Sequence, residues 1–208
     1  MSDDRPAKPS MPPMFHEGMR ALQDRFGTRR IADRLAEVRR KDVIDDYARS
    51  LIEPARFFLL ATADADGWPD CSWKGGDPGF VKVLDERRLA FPSINGNGHY
   101  RSLGNILANP KVGMLFVDLE ERRRVRINGA AELTEEPETL AMWHAAEAAV
   151  IVTVAHVFPN CPRYIPTYRM VKESPYVPRP GETAPTPDWK LREDLNDALP
   201  DHDPARRS

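Results

Sequence analysis

The chain has 208 residues, 41% hydrophobic and 30% charged, with a formal net charge of −2. That length sustains one substantial core, and the balance is that of an ordinary globular protein rather than a disordered one. A charge so near neutral gives no footing for nucleic acid, and no apolar run reaches the roughly 18 residues of a membrane span.

The opening stretch, MSDDRPAKPS, lacks the basic head and apolar run of a secretory leader. Cys71 and Cys161 are the only cysteines, too few for a disulfide framework. A reduced, cytoplasmic protein is the expectation.

The first dozen residues, with Pro6, Pro9, Pro12 and Pro13, read as a loose tail. Phe15, Met19, Leu22 and Phe26 recur at helical spacing until Gly27 ends the pattern. Thr28 can cap a second helix with Ile31, Leu35 and Val38 on one face. Asp42 is the expected cap of a third, whose stripe is Val43, Ile44, Tyr47, Ala48, Leu51 and Ile52. Residues 1–55 are therefore read as a helical N-terminal extension, and a chain starting near Ile52 is expected to form the remaining fold without it.

From Phe57 the period changes. Strands are predicted at Phe57–Asp64, Pro69–Gly76, Phe80–Asp85, Leu89–Phe91, Val112–Asp118, Arg123–Leu133 and Val150–Phe158, with Asp66-Gly67 as a hairpin turn. Helices are predicted near Tyr100–Ala108, with Leu103, Ile106 and Leu107 on its buried side, and near Pro137–Ala146. The expected fold is mainly β with flanking helices, an antiparallel barrel closed or nearly so over residues 56–170. A doubly wound parallel sheet would need a helix after nearly every strand. Residues 171–208 read as a Pro-rich tail with room for one short helix, Trp189–Leu199.

Three segments carry candidate chemistry. In DCSWKGGDPGFVKV, Ser72 and Lys74 alternate onto one strand face and Cys71 and Trp73 onto the other. A hydroxyl and an ammonium beside Gly75-Gly76 suit phosphate oxygens. A surface lysine beside a tight turn is the plainer alternative. In NGNGHYRSLGNILANP, Ser102 and the free amides of a helix start suit an anion, or Ser102 merely caps the helix. In RRRVRINGAAEL, Arg124, Arg126 and Asn128 share the outward face, opposite Val125 and Ile127; a ligand, a partner subunit or solvent would each account for them.

Other chemistry lacks its parts. The five histidines show no metal-site spacing and no HExxH occurs, so no metal is expected. No G-x-G-x-x-G follows a strand, there is no P-loop, and no nucleophile–base triad stands out.

Taken in order, KGGDPGFV, GN…SLGNI…NP and FPNCPRYI resemble the pyridoxamine 5′-phosphate oxidase-like, FMN-binding split-barrel family, over about residues 56 to 168. The resemblance implies a split β-barrel, a homodimer, and FMN in clefts between the subunits. It implies phosphate contacts from Ser72 and Lys74. It also places Asn97, His99, Tyr100, Ser102 and Asn105 near the cofactor, with Arg124 or Arg126 as a further contact. The Asn160–Tyr164 segment, with Arg163, approaches the flavin ring or substrate. Where many relatives have GNRR, this chain reads Gly96-Asn97-Gly98-His99-Tyr100-Arg101, so a basic contact there falls to His99 or Arg101. The full vitamin B6 substrate pattern is absent.

The reading is an FMN-dependent oxidoreductase passing hydride or electrons through flavin N5 to or from a small molecule. His99 and Tyr100 are candidate proton donors, and no catalytic residue is assigned. The alternatives are a flavin carrier or redox sensor without turnover, and a reductase using the deazaflavin F420.

Overall fold

The structure is a computed structural model that describes residues 13–206, so the expected loose tail of residues 1–12 lies outside the described residues. The chain divides into two compact units, one ending at Arg169 and the other beginning at Met170.

The first unit begins with three helices: α1 (Glu17–Arg25), α2 (Arg29–Arg39) and α3 (Asp46–Ile52). Gly27, at φ +66°, makes the left-handed turn between the first two. The side chain of Asp45, not Asp42, accepts from the Ala48 amide at 2.9 Å and caps α3. Ala48, Leu51 and Ile52 enter the core together with Ile44. A chain begun near Ile52 would lose three of these four core side chains.

Strands β1 (Phe57–Ala63), β2 (Pro69–Gly75), β3 (Lys82–Val83), β4 (Arg88–Ile94), β5 (Lys111–Asp118), β6 (Arg123–Thr134) and β7 (Ala146–Pro159) form one antiparallel sheet. Its order is β2-β1-β5-β6-β7-β4-β3. Helix α4 (Arg101–Ala108) and the single turn α5 (Pro137–Leu140) interrupt the series.

The sheet curls strongly. Phe58 of β1 meets Phe91 of β4 edge-on at 5.0 Å, although three strands lie between them in the sheet. Phe116 and Phe80 also pack on Phe58. The sheet is nonetheless open, which corrects the expected split barrel: β2 and β3 are its two edges and do not pair. The cause lies at Phe80 and Val81. Both are buried, so the alternation a strand requires fails there. The Trp143 indole also donates to the Phe80 carbonyl at 2.6 Å, taking an acceptor a ladder would use. Of the predicted Phe80–Asp85 strand only two residues remain, too few to close the sheet.

β7 begins at Ala146 and runs for 14 residues. It thus starts four residues before the predicted Val150, and the helix predicted to Ala146 ends at Leu140; the added residues pair with β4, Ala148 opposite Ser93 and Ala149 opposite Pro92. A bulge at Asn128/Gly129 bends β6 against β7.

The second unit holds a 3₁₀ turn (Asp188–Leu191) and a short helix (Glu193–Asn196) in place of one helix. A buried ion pair, Lys190 Nζ to Asp203 Oδ2 at 2.5 Å, ties the 3₁₀ turn to the segment after the short helix. The Asn196 amide donates to the carbonyls of Lys190 and Ala205 at 2.7 and 2.8 Å.

Candidate functional site

Among the described residues β2 pairs only with β1, and its register sets which side chains face inward. Asp70, Ser72 and Lys74 stand opposite Thr62, Leu60 and Phe58, all three buried in the core. The expected alternation therefore holds: Asp70, Ser72 and Lys74 are half-buried, while Cys71 and Trp73 are exposed. Trp73 lies flat on Phe57, ring centroids 3.9 Å apart.

Helix α4 lies across this edge through three side-chain bonds. Ser102, buried at its first turn, places its hydroxyl 3.0 Å from that of Ser72. One turn on, Asn105 donates to the Thr62 hydroxyl at 3.0 Å. The exposed Arg101 pairs with Asp70 at 3.1 Å. Only Ser102 and Ile106 of the helix are buried; Leu107, expected inside, is 75% exposed because eight residues present one face to the sheet.

Lys74 completes the arrangement. Burial pushes its ammonium below the ordinary lysine range, and the charge of Asp70 offsets this only in part. Among the described residues the ammonium forms no hydrogen bond or ion pair. Two hydroxyls, a desolvated cation and the first turn of an eight-residue helix thus share one small region. That donor set suits a tetrahedral anion such as a phosphate monoester.

The loop before α4 is different. Asn97, His99 and Tyr100 are exposed, and the Asn97 side chain is turned on its own loop, accepting from the His99 amide at 3.1 Å. Tyr100 has φ +48°, a left-handed conformation uncommon for an aromatic residue. Within one chain the structure does not bring these three side chains to Ser72.

Nor does it bring the arginines there. One cross-strand row runs Trp73, Leu59, Leu115, Arg126, Phe158, and the adjacent row runs Lys74, Phe58, Phe116, Val125, Pro159. Arg126 thus lies on the outer face with Trp73, the Val125 row being the core face. Its guanidinium sits 5.6 Å over the Phe158 ring. Arg124 donates to the Cys161 carbonyl at 2.8 Å, and among the described residues its buried Nε has no hydrogen-bond partner, nor has the buried Asn160 Oδ1. Arg163 is exposed, and its amide and guanidinium hold the Cys161 thiol below its ordinary range. The ten expected contacts therefore divide between an inner group (Ser72, Lys74, Ser102, Asn105), an outer arginine group, and the exposed loop.

Thr62, Asp70 and the engagement of Arg101 escaped the sequence reading. Their signal was present: Thr62 and Asp70 occupy inward positions of alternating strands, where a polar residue needs a partner. Among the described residues no cluster of three or more His, Cys, Asp or Glu side chains could hold a metal. No helix is long and apolar enough to cross a membrane.

Residues 44–172 match the family model described as pyridoxamine 5′-phosphate oxidase. Two curated relatives carry the name pyridoxine/pyridoxamine 5′-phosphate oxidase. That of Bordetella petrii is 35% identical over 41% of this chain and 37% of its own length. That of Rubrobacter xylanophilus is 37% identical over 45% of this chain and 39% of its own. The chain therefore matches less than half the length of either. Among solved structures, HupZ of Group A Streptococcus is 25% identical, over 56% of this chain and 93% of that one, with a TM-score of 0.45.

Proposed function

Because the chain belongs to the pyridoxamine 5′-phosphate oxidase family, we propose that it is an FMN-dependent oxidoreductase acting on a small molecule in the cytoplasm. The observation that carries the reading is the Ser72–Ser102 hydroxyl pair, 3.0 Å apart, beside the half-buried Lys74, whose ammonium makes no hydrogen bond or ion pair among the described residues. These residues fit the phosphate of FMN. Lys74 supplies a point charge whose desolvation is relieved by an anion. Ser72 and Ser102, bonded to each other, can each turn a lone pair or proton toward phosphate oxygens. Asn105, fixed on Thr62, and Arg101, fixed on Asp70, hold α4 against β2 and so keep the two hydroxyls together.

Bound flavin would supply hydride or electron transfer at N5, the chemistry no side chain of this protein offers. The protein's part is to bind, orient and limit water. His99 and Tyr100 would hold or move a proton beside the cleft. Two copies of the chain would complete that cleft, bringing Asn97, His99 and Tyr100 or the Arg124, Arg126 and Arg163 group to the cofactor. Support for the pairing comes from the outer sheet row, where Trp73, Leu59 and Leu115 stand beside Arg126 and none of the four is buried.

The test is the absorbance spectrum and mass of the small molecule that copurifies, followed by reduction under exclusion of air. FMN that is reduced by a nicotinamide and reoxidised by a small acceptor is the expected result. FMN that no donor reduces would make the protein a carrier, and a protein that takes up no FMN would remove the reading.

A further inference from the structure

Helices α1 and α2 form a hairpin pinned by ion pairs. Arg20 meets Asp33 at 2.6 Å, and Arg29 holds Asp24 with two guanidinium nitrogens. Neither helix contains a buried residue. Their half-buried positions are Arg20, Gln23, Arg29, Ala32 and Ala36, all polar or small. The apolar stripe, Met19, Leu22, Phe26, Ile31, Leu35 and Val38, is left 42% to 68% exposed. Short amphipathic helices owe most of their stability to covering such a stripe.

The charges around the stripe are sorted by sign. Between Glu17 and Arg40 seven arginines stand against four carboxylates, a net charge of +3 in a chain whose total is −2. At about 100° of turn per residue, Arg34 and Arg39 flank the α2 stripe at about 70° to either side. Arg25 and Arg30 stand about 100° from the stripes of their own helices. Glu17, Asp24, Asp33 and Glu37 lie about 130° to 170° away, on the opposite faces. Asp24 and Asp33 are held by Arg29 and Arg20, and Glu37 reaches Arg34 at 3.5 Å. Arg25, Arg30 and Arg39 form no ion pair among the described residues.

We propose that this hairpin docks on an anionic lipid surface, the stripe entering the acyl boundary and the flanking arginines lying at the level of the lipid phosphates. The sorting of charge selects that occupant. A second copy seated on the same face would set arginine flanks against arginine flanks, a like-charge contact. A nucleic acid would engage the arginines and leave six apolar side chains in water. An anionic bilayer surface covers both features at once. Arginine stems lie along apolar surface while their guanidinium heads stay with phosphate, and the carboxylates face away from the negative lipid. Helices of 9 and 11 residues are too short to span a bilayer, so they lie in its plane and the attachment is peripheral. The proposal is independent of what the Lys74 region binds.

The test is cosedimentation of the full chain with vesicles of phosphatidylglycerol and phosphatidylcholine in equal parts, and with vesicles of phosphatidylcholine alone. Four proteins are compared: wild type, Leu22→Gln with Leu35→Gln, Arg30→Gln with Arg39→Gln, and Trp68→Gln. Trp68, 74% exposed in the β1–β2 turn, serves as an apolar residue away from the stripe. All the changes fall on exposed positions, so melting followed by circular dichroism should be unaltered. Wild type and Trp68→Gln should bind the anionic vesicles at least tenfold more tightly than the neutral ones, and added salt should release them. A basic residue near such a surface contributes about fivefold in partitioning, so the double arginine variant should lose on the order of twentyfold. The leucine variant should lose at least tenfold, because the apolar contact is removed while every charge remains. Wild type that ignores both vesicles, or binds them equally, would overturn the proposal. So would leucine and arginine variants that bind as wild type does, since the contact would then lie on another surface. A wild-type dimer that the leucine variant alone loses, with no vesicle binding, would assign the stripe to a second copy instead.

Discussion

The hydroxyls of Ser72 and Ser102 stand 3.0 Å apart across 30 residues of sequence. One belongs to the inward face of an edge strand and the other to the first turn of the helix laid over it. Each hydroxyl has lone pairs and donor freedom left over after this bond. The pair is thus a hinge between sheet and helix as well as the center of the proposed phosphate site.

Ser102→Ala leaves the half-buried Ser72 hydroxyl without its partner and should cost about 1 kcal/mol of stability. Adding Ser72→Ala should cost less than a second, independent loss, because the unpaired group is then gone. Urea denaturation of the four proteins of the cycle measures this. Strict additivity would mean that the two hydroxyls do not interact.

Lys74 makes a pH-dependent prediction. Its folded pKa lies below the unfolded value because of burial. Between those two values the unfolded chain holds a proton the folded chain has released, so this group makes stability rise with pH across that window. An anion bound beside it favours the charged form and reverses the trend. Affinity for FMN should fall as pH rises through the pKa of the bound state, and binding above the lowered free pKa should take up a proton. Calorimetry in two buffers of different ionisation heat reads the uptake. A binding heat independent of buffer throughout the alkaline range would contradict it.

Gly129 sits at the β6 bulge, where an added Cβ would stand 2.3 Å from the Thr153 carbonyl oxygen. The obstruction is backbone, so it cannot be relieved by a side-chain rotation. Gly129→Ala should destabilise the protein by about 1–3 kcal/mol. An unchanged denaturation midpoint would show that the β6–β7 ladder is more pliable than described.

Much of this architecture was legible because it follows from alternation. FFLLATA and PDCSWKG carry their inward and outward residues in the order the structure adopts, with Ser72 and Lys74 together. The Val125 and Ile127 side chains are fully buried, as the pattern around Arg124 and Arg126 required. What failed were features decided by distant partners. Alanine-rich Ala146–Ala149 has helical propensity, but β4 offers it a ladder, and tertiary pairing prevails over propensity. Barrel closure failed because Phe80 and Val81 both turn inward and Trp143, 63 residues on, claims the Phe80 carbonyl. No local pattern announces such a contact. Of the candidate site's inner group, Ser72 and Lys74 were legible for the same reason, whereas Ser102 and Asn105 stand on helix α4 and came from its start and from the family resemblance. The arginines were placed outward correctly, and their separation from Lys74 depends on a register across four strands that one sequence does not display.

Whether Lys74 meets the phosphate of FMN is tested most directly by titrating FMN and riboflavin into wild type and Lys74→Met. The substitution keeps the length of the side chain and removes its charge. A charged hydrogen bond contributes about 1.5–3 kcal/mol, and each 1.4 kcal/mol is about tenfold in affinity. FMN binding should therefore weaken roughly ten- to a hundredfold, with riboflavin, which has no phosphate, losing far less and the fold unchanged. Equal losses for the two ligands would place Lys74 away from the phosphate, and an unchanged FMN affinity would make it a surface lysine beside a turn.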